Sequence, residues 1–408
     1  MKKAWLPVLL MIISLAGLLW SRAILSLSAA LWIVWLFAHS RKDITKKENK
    51  SLLIWGIAPV FIALLGCWQN GFDKEDLDHL LTLSTYIVAA LAGSLIAVKH
   101  HQSVLLKYWV WMSVIALSYP LFWYITHYQE ALVRYGSGQT VPVWMDHDHV
   151  RFGIFLAIAC FISFVIYTEQ KIMRLISLFL LAAILLLAIR TAWIMILIMI
   201  FVAALFILIE GTRAQKKRLI IGILAILLLG AITYQLSPGI QQKLAYTLYD
   251  WQQFEAGKAN PTLSDATRRV INGEAWQLIQ SGQNNIGWSA IDDVIRKSVQ
   301  ASYPEQTFDF GWPFNQWLFW WMGSGITGLV LFSIWLLFPL IRGIQKRNMA
   351  LSAVSAAIMV SCLVETNLAY QYSVWIHAWI IALLWNYPTG FLREPTTSKS
   401  GNYENQKV

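Results

Sequence analysis

Residues 264–290, SDATRRVINGEAWQLIQSGQNNIGWSA, and residues 308–329, FDFGWPFNQWLFWWMGSGITGL, bracket the longest polar interruption in the chain and its return to an apolar run. Nearly everything outside them is apolar. Hydrophobic residues make up 57 % of the chain, charged residues 13 %, and the mean hydropathy is +0.54. A water-soluble fold does not suit that balance. Runs of roughly 17–25 apolar residues cross the hydrocarbon layer as helices, because every backbone group must find its partner inside the segment. About twelve such runs are centred near residues 12, 30, 60, 90, 115, 159, 181, 200, 228, 329, 358 and 380. The expectation is an all-α, polytopic membrane protein with about twelve transmembrane helices and one large outer loop containing short helices. Its parts are nine spans over 1–236, the loop over 237–315, three spans over 316–390 and a tail over 391–408.

The net charge is +10. With the N-terminus placed in the cytoplasm and loops alternating, 21 of the 32 Lys and Arg fall on the cytoplasmic side. They include the blocks at 41–50, 213–218 and 342–347. This is the positive-inside pattern; it puts the long loop outside and both termini inside. A nucleic-acid partner would need the basic residues on one folded surface, so none is expected. Cys67, Cys160 and Cys362 lie in or beside apolar runs, match no metal or disulfide spacing and read as packing residues. The Met-Lys-Lys start resembles a signal peptide, but no convincing small-x-small site follows, which favours a retained first span.

Spans one and two meet at Ser21-Arg22 as an antiparallel hairpin. The acidic cluster Asp73, Glu75, Asp76 and Asp78 is too close in sequence to converge on one helix face, and reads as a solvated loop. Asp146, His147, Asp148, His149 and Arg151 stand where span six begins. Three readings stay open there: a metal site, a solvated entrance, or an acid–base and acceptor-binding group. Arg190, between LLLAI and TAWIMILIMI, is costly near a span end unless partnered; snorkelling competes with a grip on an anionic headgroup. Within the loop, 240–257 has helical spacing and reads as an amphipathic helix lying on the outer surface. Ser264 or Asp265 is the expected cap of a second helix, with Arg268 and Arg269 in its first turn. Gly323, Gly325 and Gly328 invite close backbone approach.

The outer-face arginines Arg151, Arg190, Arg268 and Arg269 carry planar forks suited to phosphate oxygens. At a membrane lip they suit a lipid-linked diphosphate, whose charge on departure such donors stabilise. Over roughly residues 151–384 the chain resembles the O-antigen ligase and polymerase superfamily of bacterial envelope enzymes. The resemblance rests on Arg190-Thr191-Ala192, SDATRRVINGEAWQLI, NNIGWSA, PFNQWL…GITGL and ETNLAYQ. It implies a GT-C-like inner-membrane glycosyltransferase needing no metal or other cofactor. A glycan would pass from undecaprenyl diphosphate to a hydroxyl of lipid A–core, of another glycan or of a pilin, with Arg190 and Arg268 holding the diphosphate. Asn315, Glu365, Arg151, Arg269 and His147 are the further candidate substrate contacts, with membrane lipids as surroundings.

One departure matters. Where the family has a histidine after the proline, this chain has Phe314, which neither accepts a proton nor orients a hydroxyl. His149 is the leading substitute, with His147, Asp309 and Glu365 beside it; a strongly polarised leaving group, or loss of activity, are the other readings. Two other classes compete: a lipid-linked glycan transporter, disfavoured because charge is sparse in several spans, and a non-catalytic scaffold.

Overall fold

The computed structural model describes residues 5–38, 49–167, 170–258, 264–308 and 310–387. Asp309, Lys2, Lys3, the basic residues at 41–47 and the tail lie outside them. Among the described residues the regular structure is helical. The first half runs α1 (Trp5–Trp20), α2 (Arg22–Phe37), α3 (Lys50–Asn70), α4 (Lys74–Val98), α5 (Gln102–Ala116), α6 (Ser118–Thr126), α7 (Tyr128–Gly136), α8 (His149–Val165) and α9 (Lys171–Leu186). The second runs α10 (Arg190–Glu210), α11 (Arg213–Leu236), α12 (Pro238–Glu255), α13 (Ser264–Gln280), α14 (Ala290–Ser302), α15 (Gln316–Gln345), α16 (Met349–Val364) and α17 (Gln371–Leu384).

Each apolar run is helical. Six segments among the described residues are long and apolar enough to cross a membrane: α3, α4, the continuous α5–α6 pair, α10, α11 and α15. The apolar helices α1, α2, α8, α16 and α17 are shorter. Burial separates lipid-facing from central helices. In α11 the most apolar stretch, of mean hydropathy 2.4, is 0 % buried. An apolar helix with no buried residue along that stretch needs an apolar solvent around most of its surface, and the chain is a helical membrane protein. Residues 150–163 of α8 are buried without a break, and α16 and α17 are buried over most of their length. These three form the centre; α10 and α15 pack on α16, and α4 joins α17 to α3.

The acidic cluster before α4 is a cap. Asp73 accepts from the Asp76 N–H at 3.1 Å and Asp76 reciprocates to the Asp73 N–H at 3.3 Å, a capping box. Among the described residues no group of His, Cys, Asp and Glu is arranged to hold a metal ion.

The outer loop is tied to the bundle where α15 breaks. Ser324 and Gly325 leave helical geometry, Gly325 at φ 67° and ψ −170°, a region essentially reserved for glycine. The break exposes the Met322 carbonyl, which accepts from the Ile286 N–H at 2.8 Å. Trp288 then lies against Gly323, where an added Cβ would come within 2.2 Å of its ring, and donates its indole N–H to the Ala63 carbonyl at 3.0 Å. The stretch NNIGWSA is therefore the clamp between loop and spans. α14 is an amphipathic helix with Ile291, Ile295 and Val299 buried at four-residue spacing.

Candidate functional site

α12 has two faces with unlike tasks. Leu244, Leu248, Tyr249 and Trp251 are exposed, as suits a helix lying in the membrane interface. The opposite face carries Lys243, Tyr246, Thr247 and Asp250 at helical spacing, and it receives α13. The Tyr246 hydroxyl accepts from the Ser264 N–H at 2.8 Å. The buried Asp250 carboxylate accepts from the N–H groups of Asp265 and Ala266 at 2.8 and 3.1 Å. The expected cap, Ser264 or Asp265, is thus replaced by a carboxylate from the neighbouring helix. That substitution leaves the Asp265 side chain for another purpose.

Asp265 is where two arginines meet. Arg190, the first residue of α10, engages it bidentately, Nη1 to Oδ2 at 2.5 Å and Nη2 to Oδ1 at 2.9 Å. Arg190 also donates to Thr247 Oγ1 at 3.0 Å and Ser264 Oγ at 3.2 Å. Arg268 donates to Asp265 Oδ1 at 3.2 Å from one side of its guanidinium. Its other side holds Glu365 Oε1, through Nε at 3.1 Å and through Nη2. Burial alone would raise the Asp265 carboxyl; the Arg190 fork, with Arg268 and Arg269 adding to it, instead holds it below the usual carboxylate value.

Glu365 opens the short connection from α16 to α17, which also holds the third arginine. Arg151 is buried and donates to Ser373 Oγ at 3.2 Å, to the Thr366 carbonyl at 3.4 Å and to Asp148, which in turn caps α8. Its guanidinium lies 4.1 Å from the centre of the Tyr370 ring. His149, the first residue of α8, stands two positions before Arg151 and next to the capping Asp148. Arg190, Arg268, Glu365, Arg151 and His149 therefore share one neighbourhood, although they come from four parts of the chain.

Other candidates stand elsewhere or are already engaged. Arg269 turns to the far side of α13, 4.1 Å over Trp251 and 4.8 Å over Phe254; adjacent helical residues point about 100° apart. His147 is exposed within the left-handed turn of Met145, Asp146 and His147. Asp146 pairs with Arg22 at 2.8 Å and accepts from the Tyr372 hydroxyl at 3.0 Å. The Asn315 side chain caps α15 by accepting from the Trp317 and Leu318 N–H groups, and its amide donates to the Leu363 carbonyl at 3.2 Å. These bonds give Asn315 a positioning role for the segment around Phe314.

Phe314 stands beside the arginines. Its ring centre is 5.2 Å from the Arg268 guanidinium carbon, and its N–H donates to Asn272 Oδ1 at 2.7 Å, one turn along α13. Phe314 and Glu365 also line a cavity of about 250 Å³ with Phe310, Trp312, Tyr370 and Asp292.

Lys243 escaped sequence reading. Its ammonium is buried and donates to the carbonyls of Gly138 and Gln139. Burial and then Arg190 push its pKa down to about 7. The available signal was its spacing from Tyr246, Thr247 and Asp250, which marks the inward face of α12. No protein-family model matches this chain, and a search of curated proteins finds no match.

Proposed function

We propose that this protein is a membrane glycosyltransferase of the O-antigen ligase type, moving a glycan from undecaprenyl diphosphate to a hydroxyl acceptor, with lipid A–core the leading acceptor class. The observation that carries the reading is the meeting of Arg190 and Arg268 on one carboxylate, Asp265. Two guanidinium forks aimed at one pair of oxygens can pass from a carboxylate to a diphosphate with little reorganisation. The diphosphate enters by exchanging with Asp265 and is held as it leaves. A polymerase or a pilin-directed transferase would use the same donor site.

In the proposed topology the eleven apolar helices named above, together with α9, span the inner membrane. The termini are cytoplasmic, and α12 to α14 are periplasmic. A transporter would need charged groups along a path through the membrane, whereas these cluster at helix ends.

The test is deletion of the gene with analysis of lipid A and glycoprotein fractions. Loss of polymeric glycan from lipid A, restored by the wild type but not by Arg190→Ala or Arg268→Ala, is expected. Unchanged glycan profiles in the deletion strain would sink the reading.

A further inference from the structure

The cavity beside Arg268 has walls of two kinds. Its faces are aromatic: Trp312 and Tyr370 have ring centres 5.4 Å apart, and Phe310 and Phe314 meet edge to face at 5.3 Å. Its polar edge is mixed, with Asp292 and Glu365 as acids, Arg296 as a base and Thr366 beside them. Neither acid carries bare charge, for Asp292 pairs with Arg296 at 2.6 Å and Glu365 with Arg268. An edge whose charges are already matched in pairs calls for neither an anion nor a cation. Flat apolar faces and hydrogen-bond acceptors at the rim describe a neutral ring with hydroxyls around its edge. The volume, about 250 Å³, is just under the ~300–1,000 Å³ of drug-sized ligand sites, which suits a single ring rather than a chain of them.

Glu365 adds direction. Both Arg268 bonds fall on Oε1, so Oε2 has no hydrogen-bond partner among the described residues, and the residue lines the cavity.

We propose that this cavity seats one pyranose ring against its aromatic wall at Trp312, and that, with this ring as the acceptor, Glu365 Oε2 accepts the proton of its reacting hydroxyl. The second half rests on the transferase reading; the first does not. The acceptor O–H bond breaks and its proton goes to Oε2. The oxygen pair forms the bond to the donor's anomeric carbon. The bond from that carbon to the diphosphate breaks, and its electron pair leaves on the diphosphate against Arg190 and Arg268. Arg268 links the two halves. A diphosphate that draws its guanidinium away leaves the Glu365 carboxylate without its counter-ion and open to the acceptor hydroxyl. The proton acceptor is thus switched on by the bound donor, and Phe314 has no proton to carry.

The test uses full-length protein in nanodiscs, without donor, and saturation-transfer NMR against glucose, galactose, N-acetylglucosamine and a heptose at millimolar concentration. At least one pyranose is expected to bind, and sorbitol, which has no flat ring, is not. Phe310→Ala, at a half-exposed rim position, is expected to weaken binding several-fold; Trp312→Phe is expected to weaken it tenfold. If no pyranose binds, or both variants bind as the wild type does, the subsite is wrong whatever the transfer assays show. With donor and acceptor supplied, Glu365→Gln is expected to keep sugar binding and lose at least ~100-fold in transfer, the scale of general-base catalysis. Wild-type transfer by that variant would overturn the proton-accepting role and leave the arginine site standing.

Discussion

Asp265 accepts hydrogen bonds from two guanidiniums that belong to different layers of the molecule, one at the head of a spanning helix and one in the outer loop. Removing it leaves two cations facing each other. Breaking a buried ion pair costs roughly 3–5 kcal/mol, and exposure of about a quarter on the Arg190 side and a fifth on the Asp265 side reduces that, so a loss near ~2 kcal/mol is expected for Asp265→Ala in a detergent melt. Arg268→Lys should recover less than a tenth of the transfer activity, because an ammonium lacks the planar fork that passes from the two carboxylates to a diphosphate; full activity would show that the fork is not needed. Lys243 gives a pH prediction. The unfolded chain holds this proton up to the ordinary value near 10.5, whereas the folded chain releases it from about 7. The unfolded state therefore binds more protons between those values, and stability rises with pH across that window. Melting temperatures of the wild type and Lys243→Met, compared from pH 7 to 10, should show a slope in the first that is missing in the second.

At the scale of elements, three packing devices set the site. The break in α15 frees a carbonyl for the loop, Asp250 caps α13 from α12, and the α16–α17 connection carries Glu365 beside Arg151. Gly325→Ala should cost about 1–3 kcal/mol, the range for a residue forced into such a backbone region. It should also speed proteolysis of 258–308, since the Ile286–Met322 bond depends on the break; protection equal to wild type would show that the clamp lies elsewhere. The helices themselves were legible in sequence because a run of apolar residues in lipid has no other way to satisfy its backbone. The cap of α13 was not. Ser264 and Asp265 both have the right chemistry, and only the approach of α12 decides that Asp250 takes the N–H groups. The amphipathic reading of α12 named its interfacial character but not the use of its polar face.

For the whole molecule, the proposed topology makes a direct prediction. In a variant lacking the three native cysteines, all of which are buried and free, single cysteines at Lys297 and at Lys346 should differ in labelling by a membrane-impermeant thiol reagent. The first should react in spheroplasts and the second only after the membrane is opened. The reverse order would invert the orientation and remove the outer loop from the side where the lipid-linked donor is proposed to arrive. Burial supports the lipid setting independently of charge: α8, α16 and α17 are enclosed by protein, while the apolar stretch of α11 holds no buried residue.

Composition and the spacing of apolar runs by themselves determined a helical membrane protein with a large polar loop, because local hydrophobicity decides insertion and helix formation alike. Arg190 stood out because a cation at a membrane lip demands a partner, whereas only the family resemblance preferred Arg268 to Arg269. Only the tertiary structure decided which partner. Asp265 became available to both arginines because Asp250, fifteen residues away, had taken over its capping duty, and Glu365 reached Arg268 across almost a hundred positions. It also turned Arg269 aside, bound Asn315 into a cap and set Phe314 against the Arg268 guanidinium. Such choices depend on which helix faces meet, and a single residue's type carries no information about that.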